Sequence, residues 1–100
     1  MTVYRIEDKN GDGPFCYRNG TVKSDKTIRF NCGWLYAFDD VSCFLRDSYK
    51  LFFKSEEYIL YEIEIKKPYK YGGYDEHEVK FFPSDIITKR RVEKEIDHEQ

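Results

Sequence analysis

Tyr58–Lys66 alternates strictly, and no other stretch restricts the fold as much. Ile59, Tyr61, Ile63 and Ile65 fall on one side, Leu60, Glu62, Glu64 and Lys66 on the other. A period of two is that of a strand. An apolar side backed by a wetter one suits an antiparallel or mixed sheet with one buried face. Three further stretches read as strands, two by composition and one by alternation. Val3–Glu7 is β-branched and aromatic, Trp34–Phe38 is mostly aromatic and apolar, and Glu76–Phe82 alternates His77, Val79 and Phe81 against Glu78, Lys80 and Phe82. Phe15–Arg18 and Thr21–Lys23 flank Asn19-Gly20, which would make a two-residue hairpin. Thr27–Phe30 is a further short strand candidate, set off by Asn31-Cys32-Gly33.

The period changes once. Val41, Phe44, Leu45, Ser48 and Tyr49 recur at helical spacing behind Asp39, which would serve as N-cap. This predicts a helix over Asp40–Lys50, with Ser42, Arg46, Asp47 and Lys50 on its polar face. Lys67–Tyr74 is a loop, and Pro83-Ser84-Asp85 breaks the chain. Ile86–Val92 fits a last strand or a short helix, Ser84 tilting the balance to helix. The expected class is α+β: a mainly antiparallel sheet of five to six strands, with one principal helix packed on one face. Residues 1–100 make a single domain with a charged tail over 93–100.

Aromatic residues are 18% of the chain, with nine Tyr and eight Phe, so rings must fill much of the core and many tyrosines should sit half-buried. Charged residues reach 36%, yet the net charge is only -2. That balance lacks the basic field of a duplex-DNA binder, so charge argues against nucleic acid as the partner. No apolar run approaches the roughly 18 residues that span a bilayer, and no secretory leader is visible. Cys16, Cys32 and Cys43 lack metal-ligand spacing and are expected as thiols in a reducing cytoplasm, Cys32 as a buried structural residue.

Several clusters bear on chemistry. Asp8, Asn10, Asp12 and Gly13 match the first half of a calcium loop, but the twelfth position is Asn19 where a bidentate Glu is needed. The same residues make a polar turn. Tyr69, Tyr71 and Tyr74 lie among Lys66, Lys67 and Lys70, a composition suited to a protein-binding tip, to base stacking or to packing on a sheet edge. Asp75-Glu76-His77-Glu78 gathers carboxylates beside an imidazole, and in a strand Glu76 and Glu78 share a face. No nucleophile elbow, phosphate loop or zinc-protease motif occurs.

The start Tyr4-Arg5-Ile6-Glu7, with Gly11, Gly13, Pro14 and Phe15 following, resembles a scattered group of small uncharacterised phage and bacterial proteins. In these a "YR(I/V)E…GxGP(Y/F)" opening precedes an aromatic strand, a helix and a "YE(I/V)" strand, here Tyr61-Glu62-Ile63. The layout is also reminiscent of the ADP-ribosyltransferase superfamily. That resemblance implies Arg5 as a clamp for NAD, Tyr36 as a stacking residue and Glu78 as the catalytic carboxylate.

The leading functional expectation is a small acidic cytoplasmic binding module, encoded by a phage or mobile element. It would inhibit a host defence protein by occupying its surface, without a cofactor. Tyr69, Tyr71 and Tyr74 would be the anchors, and Glu62, Glu64 and Glu78 the charge. The alternative is a mono-ADP-ribosyltransferase-like enzyme, or an inactive relative, using NAD through Arg5, Tyr36 and Glu78.

Overall fold

A computed structural model describes residues 1–17, 19–46, 48–72 and 76–95. In chain order the strands are β1 (Thr2–Glu7), β2 (Pro14–Cys16), β3 (Val22–Ser24), β4 (Leu35–Phe38), β5 (Ile59–Ile65), β6 (Lys70–Tyr71), β7 (Glu78–Phe81) and β8 (Ile86–Arg91). Two α-helices, α1 (Lys26–Cys32) and α2 (Lys50–Lys54), and two 3-10 turns, Val41–Leu45 and Pro83–Asp85, complete the set. The fold is α+β. Six strands form one antiparallel sheet in the order β6-β7-β4-β1-β5-β8, and β2 pairs with β3 in a separate hairpin. Among the described residues no helix is long and apolar enough to cross a membrane.

β1 is central. It runs in full register with β5, from Thr2 opposite Glu64 to Glu7 opposite Ile59. Its pairing with β4 is confined to Tyr4 opposite Phe38, beyond which the two strands part. A hairpin forms, but not with the expected two-residue loop: strand pairing ends at Cys16 opposite Val22, and Asn19 Oδ1 accepts both the N–H and the hydroxyl of Thr21 within the longer turn, with Gly20 at φ +85°. Ile86–Arg91 resolves as a strand, because Pro83–Asp85 spends the helix signal in one 3-10 turn.

Two further expectations about local structure are corrected. Residues 27–30 are not a strand but the middle of α1. The Ser24 hydroxyl accepts the Lys26 N–H at 3.1 Å, and Gly33 ends the helix at φ +77°. The β-branched and aromatic residues between those signals meet no neighbouring strand: Ile28 is half-buried and Phe30 is exposed. Cys32, on the same surface helix, is therefore exposed rather than buried.

Asp40–Lys50 is not one helix either. Asp40, not Asp39, caps a 3-10 turn over Val41–Leu45, and the backbone is extended again at Arg46 before α2 begins. Packing explains the break. Phe44 and Phe53 stack with ring centroids 5.8 Å apart. In a continuous helix they would stand about two and a half turns apart and face opposite ways. Breaking the helix lets Cys43, Phe44, Tyr49 and Phe53 all reach the sheet residues Ile6, Tyr36, Phe38 and Leu60.

Both faces of the sheet carry core, so the second side of β5 is not simply wet. Leu60 joins the aromatic layer, whereas Ile63 and Ile65 join Val3, Leu35, Ala37, Val79 and Phe81 on the opposite face. On that second face the Tyr71 hydroxyl meets Met1 Sδ at 3.5 Å, two long side chains reaching across the intervening strands.

Candidate functional site

Arg5 occupies the gap where β1 and β4 separate, and it is 1% exposed. Its Nη1 donates to the Tyr36 carbonyl at 3.1 Å, replacing a ladder bond the diverging strands do not make. Nη2 donates to the Gly11 carbonyl at 3.1 Å, Nε donates to Glu7 Oε2 at 2.7 Å, and Nη1 pairs with Asp25 Oδ2 at 2.8 Å. Burial alone lowers the guanidinium's proton affinity, but Asp25 and Glu7 outweigh it and the net shift is upward.

The network extends outward. Glu7 Oε1 accepts from Lys89 Nζ at 2.7 Å, while Asp25 Oδ1 accepts the Gly13 N–H at 3.0 Å. Arg29 pairs with Asp12 and approaches Asp25 Oδ1 at 3.4 Å. Arg5, Arg29 and Lys89 thus face Glu7, Asp12 and Asp25, charge for charge. Gly13 is required beside them: a Cβ there would stand 2.8 Å from the Ile6 carbonyl oxygen and 3.2 Å from Arg5 Nη1. Asp25 and Arg29 carry no motif that marks them as partners of Arg5 in the sequence. Their i, i+4 spacing is a helix signal, hidden by reading residues 27–30 as strand.

The structure brings Arg5 and Tyr36 together, but inside the protein. The guanidinium carbon lies 5.9 Å from the Tyr36 ring centroid. Tyr36 is itself buried against Phe15 and Phe38. Burial pushes the Tyr36 hydroxyl well above the usual phenol range, so it stays neutral. Glu78 stands opposite Phe38, two residues along β4 from Tyr36, and is 9% exposed. Burial raises its carboxyl above the ordinary Glu value, with Lys80 opposing. Arg5 therefore reaches carbonyls and carboxylates of its own chain, where the enzyme reading has it reach a dinucleotide.

Residues 76–77 form a turn, so Glu76 and Glu78 do not share a strand face. The Glu76 side chain is exposed, and His77 Nδ1 lies 2.7 Å from Asp39 Oδ1. Asp8 and Asp12 also turn inward. Asp8 Oδ1 accepts the N–H groups of Asn10 and Asp12 at 2.8 and 3.0 Å, Asp12 is tied to Arg29, and Asn10 is exposed. In the calcium reading these oxygens coordinate an ion; here they hold a turn.

Glu62, Glu64 and Glu78 do not assemble into one acidic face. Glu62 takes two N–H donors from Arg90 at 2.7 and 3.0 Å. Glu64 is held by the Thr2 hydroxyl and the N-terminal ammonium, and Glu78 lies three strands away. Tyr69 and Tyr71 do come together, flanking Lys70 at the β6 edge, 51% and 61% exposed. The Tyr69 ring packs on Phe82 at 4.9 Å, and Lys70 Nζ sits 5.7 Å from its centroid. Exposed Lys66 and Lys67 precede them. Tyr74, the third expected anchor, lies outside the described residues, as does the tail beyond Glu95.

No family model matches the chain, and no curated protein or solved structure matches it either.

Proposed function

We propose that this chain is a protein-binding module that acts in the cytoplasm by occupying a surface of a host protein, as an inhibitor encoded by a phage or mobile element would. The observation that carries the reading is the exposure of Tyr71 on the two-residue edge strand β6 and of Tyr69 just before it. Tyrosine supplies large contact area at low entropic cost, and an edge strand offers unpaired backbone groups to a partner. The charge at this edge comes from Lys66, Lys67 and Lys70 rather than from Glu62 and Glu64, which are matched within the chain. Capture from host lysate, compared between the native chain and Tyr69→Ala/Tyr71→Ala, tests this. The native chain should retain one partner that the double variant, unchanged in circular dichroism, releases. Equal recovery by both would remove the tyrosine edge from the interface.

The second reading, an ADP-ribosyltransferase-like enzyme or its inactive relative using NAD, draws support from the buried Glu78 with its raised proton affinity. Release of nicotinamide from labelled NAD that disappears in Glu78→Gln would favour it over the binding module.

A further inference from the structure

On the helical side of the sheet the cover is incomplete. The 3-10 turn over Val41–Leu45 and the short helix α2 stop short of β8, leaving a groove of about 420 Å³. Tyr4, Phe53 and Leu60 line its floor, and Val41 and Leu45, each more than a third exposed, form one wall. The opposite wall is the segment after β8, where Glu93 and Glu95 line the groove. Neither has an ion pair among the described residues. Lys94 leaves the groove and donates to the Ser55 carbonyl at 2.7 Å. Glu62 also lines the groove but is matched by Arg90. Among the described residues no lysine or arginine lines it.

The complement of this groove is present on the same chain. Phe53 points α2 into the core, which leaves Lys50, Leu51 and Lys54 on its outer face. Leu51 is 81% exposed, an unusual position for a large apolar side chain, and it sits between two lysines without ion pairs among the described residues. An apolar residue flanked by cations matches an apolar groove flanked by carboxylates. Both surfaces lie on the helical side and adjoin through Phe53, so one two-fold axis can seat each α2 in the other copy's groove.

We infer that this chain forms a concentration-dependent homodimer, in which Leu51 of each copy enters the other's groove and Lys50 and Lys54 pair with Glu93 and Glu95. The contact lies on a different surface from the β6 edge, and dimerisation does not depend on the host-protein reading. Each seat uses one apolar anchor and two charge pairs, against roughly 20–30 residues a side in a standard interface, so the dimer is weak and salt-sensitive.

Sedimentation equilibrium over a concentration series, at about 0.05 M and about 0.5 M salt, reads it directly. The native chain should dimerise, more tightly at low salt. Glu93→Lys/Glu95→Lys and Lys50→Glu/Lys54→Glu should each raise the dissociation constant by about tenfold or more, as expected for reversed complementary charges. Mixing these two variants should restore a heterodimer, since each then carries what the other's groove needs. Leu51→Ala should weaken the dimer without altering circular dichroism, and Glu76→Lys, a charge reversal away from the groove, should leave it intact. A native chain that stays monomeric throughout overturns the inference. So does a mixture that fails to pair, or a Glu76→Lys effect as large as that of the groove variants.

Discussion

At the scale of single residues, Arg5 decides the most. A guanidinium is an awkward group to bury, and it is tolerated because its donors end on two carbonyls and two carboxylates of its own chain. It closes the split between β1 and β4 and ties both to the loop at Gly11. Arg5→Met fills the space but strands Glu7 and Asp25 with fewer counter-charges. Urea unfolding should show a loss of about 3 kcal/mol or more, the usual cost of breaking a buried pair from one side. Glu78 predicts the opposite sign. Its folded carboxyl binds a proton more tightly than an ordinary Glu, so its ionisation penalises the folded state at neutral pH. Stability should rise as pH falls through that raised value, and the gain should end near the ordinary value of 4.5. Glu78→Gln should abolish that slope and stabilise the protein at pH 7 by on the order of 1 kcal/mol, the scale of a poorly compensated buried polar group. Melting curves across the pH range test both statements.

At the scale of elements, the broken helix between Val41 and Lys54 shows side-chain packing overriding local periodicity. The spacing of Val41, Phe44, Leu45 and Tyr49 favours one helix, but the sheet offers a larger aromatic contact if the chain bends. α2 should then depend on its inner face alone. Phe53→Ala removes the ring stacked under Phe44 and should cost about 3–5 kcal/mol. Leu51→Ala on the same helix should leave the stability of the monomer within about 0.5 kcal/mol, because its side chain meets solvent. Chemical denaturation at low protein concentration separates the two outcomes.

At the scale of the molecule, the sheet order sets where the chain resists opening. β1 and β5 each have partners on both sides and back onto both core clusters, while β6 and β8 are the edges. Amide exchange should be slowest in β1 and β5, and fastest at β6 and on the outward N–H groups of β8. Equal protection at β1 and β8 would contradict the order. The Cα radius of gyration, 12.8 Å, is close to the ~13 Å typical of a compact chain of this length.

The sequence by itself determined the α+β class and the strands β1, β4, β5 and β7, since alternation and β-branched or aromatic composition act between near neighbours. It also marked Tyr69 and Tyr71 as exposed aromatics among lysines. Tertiary structure alone decided the rest. Arg5, Glu7, Asp25, Arg29 and Lys89 become one charge network only when β1, α1 and β8 converge. Glu62, Glu64 and Glu78 look alike as letters, yet one meets Arg90, one the chain's own amino group and one the interior. A carboxylate's charge state and reach depend on what stands within a few ångströms of it, and those neighbours come from distant parts of the chain.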